Sequence, residues 1–221
     1  MIYTVISSLR KNGIKTKSRD CRIIRQPLSL LQGELSEYVE SAKNETVRAE
    51  RGLAYTTLLC ALKTFFDIDN PAIKRNKFGK PYLADCNIRI SLSHSDGTVA
   101  VALSDEGEVG IDIQAEIDER RAERLKDRFF ADFEAEGDNL SVKYYFCDIS
   151  EDKAVIEELD LAMAAVDGFT AKWAYAESLM KLFGRGFADA GSLPALAENS
   201  KTEIREISFD KKYVIAVSAE K

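Results

Sequence analysis

The run from Ile88 to Gln114 restricts this chain more than any other segment. Asp96-Gly97 separates two stretches of alternating residues, and that dipeptide is a strong two-residue hairpin signal. The pattern predicts a strand over Arg89 to Ser95, a second over Thr98 to Ser104, and a third over Val109 to Gln114, together a three-stranded meander. Side chains alternate along a strand, so Asp112 and Gln114 must share one face while Ile111 and Ile113 take the other. A carboxylate between isoleucines either sits at a strand end or serves a specific purpose, because burying an unpaired charge is costly. The same run holds His94, the only histidine of the chain.

Around this run the periodicity predicts an α+β fold. Met1 to Ser8 reads as a strand. Ser29 to Ala42 and Glu45 to Phe66 read as helices, the second with Asn44 as N-cap. Lys74 to Tyr82 is a basic, turn-rich loop punctuated by Gly79 and Pro81. Ile117 to Phe133 reads as a charged helix. Val142 to Cys147 is a strand candidate and Glu151 to Val166 a helix candidate. Thr170 is placed to cap a further helix that carries an apolar stripe of Trp173, Ala176, Met180 and Phe183 and ends at Gly184-Arg-Gly186. Strands over Thr202 to Phe209 and Tyr213 to Ala219 close the chain. Both halves read as helices with small antiparallel sheets. This suggests two pseudo-symmetric subdomains, 1–105 and 106–221, with an active site at their interface.

The 221 residues suffice for a real core. Net charge is −6, unevenly spread: residues 1–104 carry 16 basic and 10 acidic side chains, residues 105–160 carry 7 and 19. A basic first half attracts a small polyanion or an acidic protein. The acidic middle speaks against a nucleic acid partner. No run reaches the roughly 18 apolar residues of a membrane span, and Met1 to Leu9 lacks the features of a signal peptide. Four dispersed cysteines with a single histidine argue against zinc and for reduced thiols, hence a cytoplasmic protein.

Asp112 and Glu177 are the acids best placed for chemistry. Magnesium takes hard oxygen ligands, commonly one or two carboxylates plus substrate phosphates. Taken alone, such a pair is more often structural. Lys181, four residues after Glu177, leaves the same helix face. By itself it makes an ion pair worth about 0.3–0.5 kcal/mol; at a phosphate site it neutralises a leaving group. His94 taken alone is a hydrogen-bonded structural residue, Lys80-Pro81 a solvated turn, and Arg51 a surface cation. The chain has neither a P-loop nor a GxGxxG fingerprint.

The order of these pieces carries more than any one of them. Phe78-Gly79-Lys80-Pro81, Ser91-Leu-Ser-His-Ser95, Val109-Gly-Ile-Asp112, Arg128-Phe-Phe-Ala-Asp-Phe-Glu134 and Trp173-x-x-x-Glu177-x-x-x-Lys181 follow one another. In this the chain resembles the surfactin-type 4′-phosphopantetheinyl transferases, from about Arg51 to Lys181. The resemblance implies transfer of the phosphopantetheine arm of coenzyme A to a serine of an acyl or peptidyl carrier protein, with release of adenosine 3′,5′-bisphosphate. Fatty acid, polyketide and nonribosomal peptide synthesis are all open as the pathway. It implies magnesium, or manganese, on Asp112, Glu177 and Gln114. Glu177 is then the general base, directly or through water, and Lys181 the group that meets the departing phosphate. Ser93 and His94 are assigned to the coenzyme A phosphates, and Arg51, Lys80 and Pro81 to its adenosine and 3′-phosphate end. A monomer suffices, since both halves are present. Gln114 stands where many members carry an acid, and Ala176 where they carry a lysine. Those departures leave open a degenerate relative that binds coenzyme A or a carrier without catalysis. A metal-dependent phosphotransferase with no carrier partner is the third reading.

Overall fold

The computed structural model describes residues 1–10, 22–25, 27–129, 137–164, 168–185 and 191–221. In chain order the elements are β1 (Ile2–Ser8), β2 (Arg22–Arg25), a 3-10 turn (Pro27–Leu30), α1 (Gly33–Glu40), α2 (Glu45–Phe66), β3 (Ile73–Arg75), β4 (Pro81–Leu83), β5 (Arg89–Ser95), β6 (Thr98–Ser104) and β7 (Val109–Ala115). There follow α3 (Glu119–Phe129), β8 (Val142–Ile149), β9 (Lys153–Leu159), β10 (Ala162–Met163), α4 (Phe169–Leu182), α5 (Leu193–Glu198), β11 (Ser200–Ser208) and β12 (Lys212–Glu220). The protein is α+β, as its periodicity predicts.

Two sheets form the middle of the molecule. One has six strands in the order β2-β9-β8-β1-β6-β5, the other four in the order β10-β11-β12-β7. Alternation along the strands sorts the apolar side chains into layers. Ile2, Ile6, Ala100 and Ala102 from the first sheet meet Val109, Ile111, Ile113, Ile215 and Val217 from the second. On the outer face of the first sheet, Leu58 and Leu62 of α2 cover Val5, Val101 and Leu103. On the outer face of the second, Trp173, Ala176 and Met180 of α4 cover Ile204, Val214 and Ala216. The result is four layers: helix, sheet, sheet, helix.

The hairpin of β5 and β6 forms as predicted, with Ser95 opposite Thr98 and Gly97 at φ +78°. The meander does not. β6 is flanked by β5 on one side and β1 on the other, so both its edges are taken, and β7 crosses to the second sheet to pair with β12. β8 and β9 return to the first sheet beside β1, so the two sheets do not divide the chain at 105/106. The helix expected over Glu151 to Val166 is replaced by β9 and β10. Lys153 to Leu159 buries Ala154 and Ile156 on alternate positions and is held between β8 and β2; strand pairing overrides the helical preference of its acidic residues.

Other elements differ in detail. Ser29 to Ala42 is a 3-10 turn followed by a shorter α1. The basic loop contains a small hairpin of β3 and β4. The helix predicted from Ile117 starts at Glu119, and its expected end beyond Phe129 lies outside the described residues, as does most of the Arg128-to-Glu134 motif. Asn44 caps α2, its Oδ1 accepting the N–H groups of Thr46 and Val47 at 2.8 and 3.3 Å. Thr170 is not the cap of α4; Gly168 holds that position, and the Thr170 hydroxyl instead accepts the N–H of Ile117.

Candidate active site

The site begins with a glycine. Gly110 lies on the face of β7 that carries α4, and a Cβ there would stand 2.0 Å from the Ser178 carbonyl oxygen and 2.5 Å from the Leu182 nitrogen. Helix backbone therefore rests directly on strand backbone, and residues one turn apart on α4 reach the next outward position of β7. That position is Asp112, 2 % exposed. As the alternation requires, Ile111 and Ile113 point into the layer between the sheets.

Three chain segments converge on the Asp112 carboxylate. Its Oδ1 accepts the Ser93 hydroxyl at 2.7 Å and the Lys181 ammonium at 2.6 Å. Lys181 Nζ also donates to Ser93 Oγ at 2.8 Å and lies 3.4 Å from Glu177 Oε2. The other oxygen of Glu177 accepts the indole N–H of Trp173 at 2.9 Å. Thus one ammonium is held by two carboxylates and a hydroxyl. Asp112 Oδ2, by contrast, is buried without a hydrogen bond among the described residues. Burial, with Glu177 beside it, pushes the Asp112 carboxyl up to about 7 against the opposing pull of Lys181 and Ser93. Burial also works against the Lys181 ammonium, but Asp112 and Glu177 outweigh it and hold its pKa above the ordinary lysine value.

The serines of β5 do more than the sequence suggests. Ser91 Oγ accepts the N–H of Ile111 at 3.1 Å and Ser95 Oγ that of Ala115, also at 3.1 Å. With Ser93 on Asp112, every second residue from Ser91 to Ser95 is tied to β7, so hydroxyls join two strands that belong to different sheets. Gln114 lies on this outward face too. Its amide nitrogen donates to Ser95 Oγ and the Ala115 carbonyl at 3.2 and 3.0 Å.

The expected pairing of Ser93 with His94 is divided by the strand. Ser93 turns toward β7 and α4, whereas His94 turns toward α2, where its Nδ1 lies 2.8 Å from Glu50 Oε2. Lys80 is committed elsewhere than expected: its ammonium binds Glu108 Oε2 at 2.8 Å, the Leu182 carbonyl at 3.0 Å and the Val109 carbonyl at 3.3 Å. It thereby ties the 76–80 turn to the end of α4 and the start of β7. A cleft of about 220 Å³ opens beside it, lined by Pro81, Ser91, Lys181 and Arg185 among others. Arg51 is further out, its guanidinium 4.6 Å from the Tyr38 ring centre; Arg75 covers the same ring at 3.5 Å.

Sequence reasoning missed Glu50, Glu108 and Arg75. Glu50 stands in Arg48-Ala-Glu-Arg51 and reads as part of a solvated helix face; nothing local marks it as buried. Among the described residues no three His, Cys, Asp or Glu side chains converge as a metal site, and no helix is long and apolar enough to cross a membrane. Asp112 and Glu177 are two acids around one ammonium, with the orphaned Asp112 Oδ2 as a spare hard ligand. That donor set fits a divalent ion that takes its remaining ligands from substrate and water. In comparisons with known proteins, no family model matches this chain and no curated protein matches it.

Proposed function

We propose that this protein moves 4′-phosphopantetheine from coenzyme A to a carrier-protein serine. The observation that carries the reading is the meeting of Ser93, Asp112, Glu177 and Lys181, which come from three of the ordered motifs and span 88 positions, around one buried carboxylate. Phosphoryl transfer asks of a protein mainly positioning and charge neutralisation, and this cluster offers a base, a cation and two hard ligands.

In this reading Asp112, Glu177 and the Gln114 carbonyl would hold magnesium, and the chemistry it would supply when bound is neutralisation of the pyrophosphate charge. Glu177, oriented by Trp173, receives the proton of the carrier serine. The serine oxygen forms its bond to the phosphorus that bears the pantetheine. The bond from that phosphorus to the bridging oxygen breaks. Lys181, released from its carboxylates once anionic substrate is present, meets the negative charge on the departing adenosine bisphosphate. Its side chain is 28 % exposed and lines the cleft shared with Pro81 and Arg185. The buried free thiols Cys60 and Cys147 suit a reducing, cytoplasmic setting, and one chain carries the whole cluster, so a monomer is sufficient.

The test is mass spectrometry of apo carrier proteins incubated with coenzyme A, magnesium and the protein. A gain of the phosphopantetheine mass is expected; no gain with several unrelated carriers overturns the reading. Glu177→Gln and Asp112→Asn should each lower transfer at least about 100-fold while the fold survives. A second reading, coenzyme A or carrier binding without catalysis, is favoured by the neutral Gln114 amide, whose nitrogen is turned into β5. Calorimetry separates the two: binding indifferent to magnesium, with no transfer, selects the second.

A further inference from the structure

Glu50 is the one strongly buried acid of α2, 6 % exposed, and it does not belong to the cluster around Asp112. Its two oxygens have separate partners. Oε1 accepts the N–H of Gly97 in the β5–β6 turn at 2.7 Å. Oε2 lies 2.8 Å from Nδ1 of His94. His94 is its one side-chain partner among the described residues, and the imidazole is 44 % exposed. One ring nitrogen thus lies against a buried acceptor while nearly half of the side chain remains exposed.

This geometry decides which nitrogen bears the proton. A carboxylate only accepts, so the nitrogen facing it must be N–H, and the bond made by one imidazole nitrogen sets the state of the other. Free imidazole side chains favour the Nε2–H form; the contact with Glu50 reverses that preference. When the ring takes up a second proton, it donates from both ends: Nδ1–H to Glu50 and Nε2–H outward.

We propose that Glu50 is a positioning residue for His94, accepting Nδ1–H so that the outer nitrogen, once it too carries a proton, donates Nε2–H to an anionic group of the substrate. This rests on the coenzyme A reading only for the identity of that substrate. The bond to Gly97 gives the same carboxylate hold of the hairpin turn, so ring and turn are placed together.

The chain has one histidine, so protein labelled with 15N-histidine yields one pair of ring signals with no assignment needed. At alkaline pH the wild type should show the Nδ1–H form. Glu50→Gln retains an oxygen for Gly97 but turns an amide N–H toward the ring, and should switch it to Nε2–H. Added inorganic pyrophosphate should shift the Nε2 signal in the wild type and do so several-fold more weakly in Glu50→Gln. In transfer assays Glu50→Gln should raise the KM for coenzyme A about fivefold or more with kcat within about twofold, and His94→Ala should cost less in that background than in the wild type. A wild type in the Nε2–H form, an unchanged ring in Glu50→Gln, or an Nε2 signal indifferent to pyrophosphate overturns the proposal. So does transfer activity in which His94→Ala raises KM and Glu50→Gln does not. Absence of transfer by the wild type, with the ring signals as expected, overturns the coenzyme A reading and leaves this one standing.

Discussion

The two long helices cover opposite outer faces of the two sheets, but they touch them differently. α2 rests on its sheet through side chains: Leu58 and Leu62 fill the space over Val101 and Leu103. α4 rests on β7 through backbone, with Gly110 providing the space. A side-chain interface gives and repacks; a backbone interface has no slack. The residues proposed to carry the chemistry, Glu177 and Lys181, ride on the second kind. The residues proposed to meet the outer parts of a ligand, Arg51 and His94 through Glu50, depend on the first.

Gly110→Ala attacks the backbone interface and should have the largest effect. Its new methyl would overlap the Ser178 carbonyl, and a loss of about 4 kcal/mol or more, or no folded protein at all, is expected from thermal or urea unfolding. An unfolding midpoint close to wild type would remove the contrast between the helices. Leu58→Ala attacks the side-chain interface at a fully buried position and should cost about 2–5 kcal/mol, while the folded fraction keeps its transfer rate. A matching fall in kcat would show that α2 is as tightly coupled to the chemistry as α4.

The third prediction concerns the charge that α4 lowers onto β7. In metal-free buffer the Asp112 carboxyl, pushed up to about 7, binds its proton more tightly folded than unfolded. Its contribution to stability is full below about pH 4 and is lost as pH rises through about 7. Asp112→Asn should therefore gain on the wild type across that window, by at most about 1.4 kcal/mol per pH unit. A difference between the two proteins that does not change from pH 4 to pH 8 counts against a buried, strained carboxylate. The smallest effect belongs to Gly52→Ala on α2, where the new Cβ meets only Val39 Cγ1 at 3.6 Å. Helix propensity then dominates, and a gain of about 0.5–1 kcal/mol is expected. A loss would mean that α2, too, needs its glycine for close approach.

What was legible in the chain was whatever local pattern decides. α2 has the expected bounds and cap, β5 and β6 form their hairpin, and Asp112 faces away from its isoleucine neighbours. What was illegible depended on partners distant in sequence. β7 left the expected meander because β1, a hundred residues earlier, already occupied the free edge of β6. Lys153 to Leu159 became a strand because β8 and β2 offered edges. Within the site, alternation and helical spacing singled out Asp112, Glu177 and Lys181, whose meeting across 69 positions no local pattern could show. The separate fates of Ser93 and His94 follow from strand alternation, and the burial of Glu50 depends on a turn forty-seven positions away.

The hydroxyl ties between β5 and β7 have a consequence for how this fold tolerates change. A backbone ladder is indifferent to side-chain identity, so most strand positions can vary freely as long as their polarity suits the face. Where β5 meets β7, the joints to Ile111 and Ala115 are made by serine oxygens. Here attachment of one sheet to the other is written in residue type. Ser91 and Ser95 are hinge pins, and replacing either with alanine unfastens a strand without breaking it.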